Sequence, residues 1–249
     1  MPTTETGTRI DEVADGIHRI STFVPDAGLC FNQYLLVAEQ PLLFHTGPRA
    51  MFGSVRDAVA KVIDPASLRW IAFGHVESDE CGAMNEWLAA APEATVVGNT
   101  VAVLVSLNDL ADRPPLAIAE GEVLDLGGKR VRSIPTPHVP HGWDAHVLYE
   151  EATGTLLCGD LFTSAGPMPA TSTDDIVGPA IAAEDMFGYT SVTVATAPTI
   201  GRLADLAPTT LALMHGPAFA GDTVTALRDL ADDYDGRLRR ALEDQAAVA

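Results

Sequence analysis

Trp70-Ile71-Ala72-Phe73-Gly74-His75-Val76-Glu77-Ser78-Asp79-Glu80 is the stretch on which the reading of this chain turns. Its four leading apolar residues make a short buried strand, and Gly74 breaks it. One imidazole and three carboxylates follow within six residues. Charge of that density at the end of a buried strand is costly unless something positive stands among it. A metal ion is the candidate. Imidazole alone suits zinc, copper, iron or nickel, whereas a mixed imidazole and carboxylate set leans toward iron or manganese.

Working outward, later points repeat the arrangement of a metal-type side chain just after an apolar strand. They are His138 in Pro135-Thr136-Pro137-His138-Val139-Pro140-His141, Asp160 after Leu156-Leu157-Cys158-Gly159, and His215 after Leu211-Ala212-Leu213-Met214. His45, after Leu42-Leu43-Phe44, is a fourth. A lone histidine at a strand end is more often a hydrogen-bonded structural residue, and Asp160 alone reads as a turn residue. Together they form a pattern, because open sheets collect their sites at strand ends.

The rest of the chain supplies the layers. Residues 17–38 read as strands interrupted at Pro25-Asp26-Ala27-Gly28, residues 51–63 as a helix stopped by Asp64-Pro65, 81–91 as a helix, 94–97 as a strand and 100–107 as a helix. Leu124 to Ile134 reads as a hairpin turning at Gly127-Gly128, and residues 146–149 with 155–158 as a second one around Gly154. Residues 181–206 read as largely helical, 210–214 as a strand, and Asp222 to the end as one long amphipathic helix. A strand-rich stretch followed by helices, twice over, fits two sheets face to face with helices outside. No composition break or linker interrupts it, so residues 1–249 are expected to form a single domain.

Composition narrows the functional classes. Net charge is -19, from 15 basic and 34 acidic residues, which argues against nucleic acid and anionic membranes as partners. Three widely spaced cysteines, Cys30, Cys81 and Cys158, suggest no disulfide framework. The polar, acidic N-terminal residues 1–16 lack the regions of a signal peptide. No apolar stretch approaches the roughly 18 residues of a membrane span. A soluble protein of the cytoplasm is expected.

The order HxExD, PxH, strand-Gly-Asp, strand-His-Gly resembles the metallo-β-lactamase superfamily, over roughly residues 17–217. That superfamily usually has histidines where this chain has Glu77 and Glu80. Glu77 makes it similar to the flavodiiron proteins and the stand-alone oxygen-binding diiron proteins, and Phe31-Asn32-Gln33-Tyr34-Leu35 resembles their early YNSYL strand. The resemblance implies a four-layer αβ/βα sandwich holding two non-haem irons. One would be held by His75, Glu77 and His138, the other by Asp79 and His215, with Asp160 as the bridge. The superfamily's D-T-G is His45-Thr46-Gly47 here, and a structural role suits His45 better than ligation. The flavodoxin domain that supplies electrons in flavodiiron proteins is not found within the 249 residues.

Other residues carry open readings. Glu80 could ligate, hydrogen-bond to a ligand or face solvent. His141 reads either as a surface or supporting histidine or as a proton donor at the pocket wall; with Glu80 it makes up the candidate catalytic pair. Cys81 reads as inert packing, and Trp143, Phe187 and Tyr189 as core rather than pocket. The function expected is a diiron protein that binds, reduces or senses dioxygen or nitric oxide. Its electrons would come from a separate flavoprotein or rubredoxin-like donor, and a homodimer is a compatible assembly. The alternative is a dizinc hydrolase acting on an ester, thioester or phosphodiester, using a metal-bound hydroxide.

Overall fold

The structure, a computed structural model, describes residues 7–248; the expectations for residues 1–6 and for the helix at Ala249 lie outside it. Two seven-stranded sheets form the centre. The first runs in sequence order: β1 Arg9–Ala14, β2 Ile17–Val24, β3 Leu29–Leu36, β4 Leu42–Phe44, β5 Trp70–Ala72, β6 Thr95–Asn99 and β7 Leu116–Ile118. It is antiparallel from β1 to β4 and parallel from β4 to β7. The second contains β8 Val123–Asp125, β9 Arg130–Pro135, β10 His146–Glu150, β11 Thr155–Leu157, β12 Thr171–Ser172, β13 Thr210–Ala212 and β14 Ala218–Phe219. Its order is β12-β14-β13-β11-β10-β9-β8, with β11 and β13 parallel.

Side-chain alternation along the strands builds the layers. Leu42 and Phe44 of β4, Trp70 and Ala72 of β5, Leu148 of β10, Leu157 of β11 and Ala212 of β13 join one buried cluster between the sheets. Their neighbours Leu43, Ile71 and Phe73 turn the other way, onto α1 (Phe52–Val59) and the helices that follow β5, where Trp87 is fully buried. Those helices are α2 (Ser78–Cys81) and α3 (Met84–Ala90). After β6, α4 (Thr100–Ala102) passes through a wider turn at Val103–Leu107 into α5 (Asn108–Leu110). On the second sheet Val147, Leu156, Leu211 and Leu213 face α6 (Val177–Phe187), α7 (Thr196–Ala204) and α8 (Thr223–Val248). The result is helices, sheet, sheet, helices, as expected.

Three differences from the sequence reading have physical causes. β1 is missed because its residues are polar and half exposed, an edge strand held by backbone pairing with β2. The helical stretch expected over 181–206 is two helices, because Gly188 adopts the left-handed conformation that ends α6. Trp143 is not core: it is 60% exposed. Among the described residues no helix is long and apolar enough to cross a membrane.

The two sheets are also tied by polar contacts beside the site. The Asn32 side chain donates to the carbonyls of Leu213 and Gly216, Tyr34 Oη donates to Leu213, and buried Arg19 donates to Gly216. These bonds hold the turn after β13 against β2 and β3. Away from the site, Trp87→Ala should cost about 3–5 kcal/mol, because it empties a large space next to Phe52 in the first helical layer. Denaturant unfolding of the variant measures this.

Candidate metal centre

The C-terminal ends of β4, β5, β11 and β13 converge, and each delivers a polar residue: His45, His75, Asp160 and His215. This is the carboxyl-end crevice that parallel strands leave open. The turn after β5 adds Glu77 and then α2. Asp79 and Glu80 are consecutive on that helix and so diverge by about 100°. Asp79 faces the cleft, while Glu80 turns inward and is fully buried.

His75 Nε2, Glu77, His141 and Asp160 place one potential ligand atom each within 4.8 Å of one another. His75 Nε2 lies 2.7 Å and His141 Nε2 2.9 Å from Glu77 Oε2. His141 Nε2 is 3.3 Å and His75 Nε2 3.8 Å from Asp160 Oδ2. The other Asp160 oxygen, Oδ1, is 3.4 Å from His215 Nε2, which is itself 3.3 Å from Asp79 Oδ2. Asp160 thus stands between two half-sites with one oxygen toward each.

The place that the sequence reading gave to His138 is taken in the structure by His141. The loop between β9 and β10 folds back on itself, with the His138 amide bonded to the Gly142 carbonyl at 2.7 Å and the Val139 amide to Thr136. That turn leaves the His138 side chain exposed and swings His141 inward, where its ring meets His75 edge to face at 4.7 Å. Gly142 has its own part, which the sequence reading missed. A Cβ there would sit 3.1–3.3 Å from the His75 ring, and its φ of +82° favours glycine.

The imidazoles are held with Nε2 toward the cleft. His215 Nδ1 donates to the Cys30 carbonyl at 2.8 Å, a support that no side-chain motif could have announced. His75 Nδ1 is 3.3 Å from Glu80 Oε1, and the His75 amide donates to Glu80 Oε2 at 2.7 Å. Acceptors at Nδ1 fix the tautomer that leaves Nε2 free to bind a metal. His146, after Ala145, has a different role: its ring bridges Ser133 and the Phe73 carbonyl as part of the frame.

Electrostatics explain how so many acids share this space. Burial alone would lower the His75 pKa, but Glu80, Glu77 and Asp160 outweigh it and raise it to about 12. His215 is likewise pulled down by burial and pushed up by Asp160 and Asp79, to about 10. His141 is raised by its bond to Glu77. Glu77 is lowered by the His141 and His75 hydrogen bonds. These carboxylates favour positive charge at the imidazoles, and a metal ion would supply that charge in place of protons. The donor set fits a metal pair in a further respect. Asp160 Oδ1 and Asp79 Oδ1 are buried without a hydrogen-bond partner among the described residues.

The cleft over the site has a volume of about 170 Å³. Leu29, Thr163, Phe187 and Tyr189 line it with the ligand-type residues. Phe187 and Tyr189, expected in the core, are therefore part of the pocket. Cys81 is half-buried, and its thiol pKa is raised by burial to about 11, consistent with inert packing.

Comparison with known proteins adds the following. The model of the family described as ODP family beta lactamase matches residues 29–198. A Nostoc sp. protein carrying the name diflavin flavoprotein A 1 is 31% identical over 138 residues, which are 54% of this chain and 24% of that one. The anaerobic nitric oxide reductase flavorubredoxin of Salmonella arizonae is 27% identical over 139 residues, 54% of this chain and 29% of that one. Among solved structures, rubredoxin oxygen:oxidoreductase from Desulfovibrio gigas superposes with a TM-score of 0.78 at 21% identity, over 91% of this chain and 62% of that one. The chain spans about a quarter of the length of the curated relatives it matches first.

The two histidines of the loop between β9 and β10 can be told apart directly. His141→Ala should lower the metal retained per chain after dialysis, whereas His138→Ala should leave it at the wild-type value; elemental analysis of the two variants reads the difference.

Proposed function

Since this chain belongs to the ODP family beta lactamases, we propose that it is a diiron protein whose site takes up dioxygen or nitric oxide. The observation that carries this reading is the donor set: three imidazoles and three carboxylates arranged around Asp160. In this reading His75, Glu77 and His141 hold one iron, Asp79 and His215 hold the other, and Asp160 spans the two. A carboxylate is a harder donor than imidazole, so Glu77 favours iron over zinc and its charge favours the ferric state. Bound there, the two irons would supply electrons to a diatomic gas.

The chain's own residues do the rest. Glu80 and the Cys30 carbonyl orient His75 and His215. Leu29 and Phe187 give the cleft an apolar wall, and Tyr189 and Thr163 also line it, the Thr163 hydroxyl donating to the Asp160 carbonyl. A cleft of about 170 Å³ suits a small gas. Pockets that enclose larger organic ligands run from about 300 Å³ upward. That size and Glu77 both weigh against the dizinc hydrolase.

Electrons would come from a partner. The three cysteines are free and far apart, so they form no iron–sulfur site. Two relatives carry flavin or rubredoxin in their names, and a flavoprotein or rubredoxin-like donor fits this chain as well. We read residues 1–249 as one domain working in the reducing cytoplasm. The same site serves a reductase if a donor drives rapid turnover, and a sensor if occupancy alone reports to a partner.

Protein purified from iron-rich medium should contain close to two irons per chain, and its reduced form should be oxidised by dioxygen. Two zincs with hydrolytic turnover, and no iron, would overturn the reading. Glu77→His should shift the bound metal from iron toward zinc, as read by elemental analysis of both proteins grown with the two metals at equal concentration.

A further inference from the structure

His45 and Glu80 are both fully buried, and both depart from the pattern that the chain resembles. His45 stands where D-T-G has its aspartate, and Glu80 stands where a histidine is usual. The fold brings these departures together: His45 Nε2 lies 3.4 Å from Glu80 Oε1. The same oxygen is 3.3 Å from His75 Nδ1, and Glu80 Oε2 accepts the His75 amide at 2.7 Å. Glu80 Oε2 is therefore engaged by the His75 backbone, Oε1 lies within 3.4 Å of both imidazoles without a hydrogen-bond partner among the described residues, and Glu80 is not among the residues that line the cleft.

The surroundings are shaped around this carboxylate. A Cβ at Gly74 would lie 3.1 Å from each of its oxygens, and one at Gly159 would lie 3.6 Å from Oε1. These glycines immediately precede His75 and Asp160. The Thr46 amide and hydroxyl both donate to the Glu80 carbonyl, at 2.6 and 2.9 Å, so the segment after β4 clasps the start of α2. His45 itself holds a left-handed φ of 66°, which a non-glycine residue keeps only where its surroundings fix it. Its Nδ1 faces the Asn32 carbonyl at 3.4 Å, and its Nε2, without a hydrogen-bond partner among the described residues, has Glu80 Oε1 at 3.4 Å.

We propose that His45 and Glu80 are a transposed acid–base pair, and that His45, touching no metal position, is a positioning residue that orients the His75 imidazole through Glu80. A histidine held by a buried carboxylate is a good metal ligand only if the carboxylate is itself held. His45 Nε2 is the second imidazole nitrogen set against Glu80 Oε1, 3.4 Å away. The chemistry requires the two residues to change together. Aspartate at 45 with Glu80 retained would bury two carboxylates face to face. Histidine at 80 with His45 retained would bury two imidazoles and leave His75 Nδ1 without its acceptor. The consequence for the ligand sphere rests on the metal reading above, while the pair itself does not depend on which metal binds.

The test is a double-mutant cycle on His45→Asp, Glu80→His and the double variant, with His45→Leu and His45→Gln as milder probes. Thermal melting of the metal-free proteins reads the pair. Titration with Co²⁺ alone, followed by its visible absorption, reads the geometry at His75. Each single exchange should lower the melting temperature and weaken Co²⁺ binding by about 10–100-fold with an altered spectrum, and the double exchange should recover most of both. His45→Gln, which keeps an N–H for Glu80, should bind Co²⁺ better than His45→Leu. If the single exchanges do not fold and the double one does, that rescue also supports the pair. Strictly additive effects in the cycle, or wild-type Co²⁺ binding and spectrum in His45→Leu, would overturn it. Because Co²⁺ reports the site whatever its native metal, finding zinc in the purified protein would defeat the diiron reading and leave this result standing.

Discussion

Asp160 is almost fully buried, and its two oxygens point to different neighbours: Oδ2 toward His75 and His141, Oδ1 toward His215. A carboxylate in that position has given up its water and must be repaid by positive charge on both sides. Imidazoles face both oxygens, and a metal pair would supply that charge, since Asp160 Oδ1 has no hydrogen-bond partner among the described residues. The surrounding structure serves this constraint. Gly159 before Asp160, Gly74 before His75 and Gly142 against the His75 ring all make room where a side chain would crowd the site.

The two sheets share the task. β4 and β5 of the first and β11 and β13 of the second end at the same place, so the half-sites draw residues from both sheets. Holding them in register falls to β2 and β3, whose Arg19, Asn32 and Tyr34 reach across to carbonyls of the β13 turn. Backbone contacts add to this: the Asn32 amide bonds to Met214, and the Cys30 carbonyl accepts a hydrogen bond from His215 Nδ1. The inter-sheet core of Phe44, Trp70, Leu148 and Leu157 sets the spacing between the sheets. Site geometry and fold stability are therefore coupled, since a shift of one sheet against the other would separate His215 and Asp160 from His75.

This arrangement also links the site to the family. Chains that share the fold differ in the donors they place at these strand ends, and function follows the donors more than the fold. Here the donors are rich in carboxylate and the cleft is small and partly apolar. The proposed redox reading rests on both properties.

Much of this was legible in the sequence, for reasons of local chemistry. Apolar strands followed by His75, Asp160 and His215 could be read directly, because a buried strand that ends in charge has few alternatives. Glu77 was read as favouring iron, and the structure places it in the cluster with His75, His141 and Asp160. The sequence reading gave the ligand place to His138, whereas the structure sets His141, three residues on in the same proline-rich loop, against His75 and Glu77. The turn that does this is closed by the bond from the His138 amide to Gly142, a contact with no signature in composition or period. The sequence could not choose among three roles for Glu80 or see that His45 stands against it, since the two residues are 35 positions apart and meet only after β4 and β5 pair. Sequence determines which chemical groups arrive at the ends of strands, because polarity and periodicity are local. Which of them face one another depends on loop closure and on the packing of two sheets, and those are properties of the whole fold.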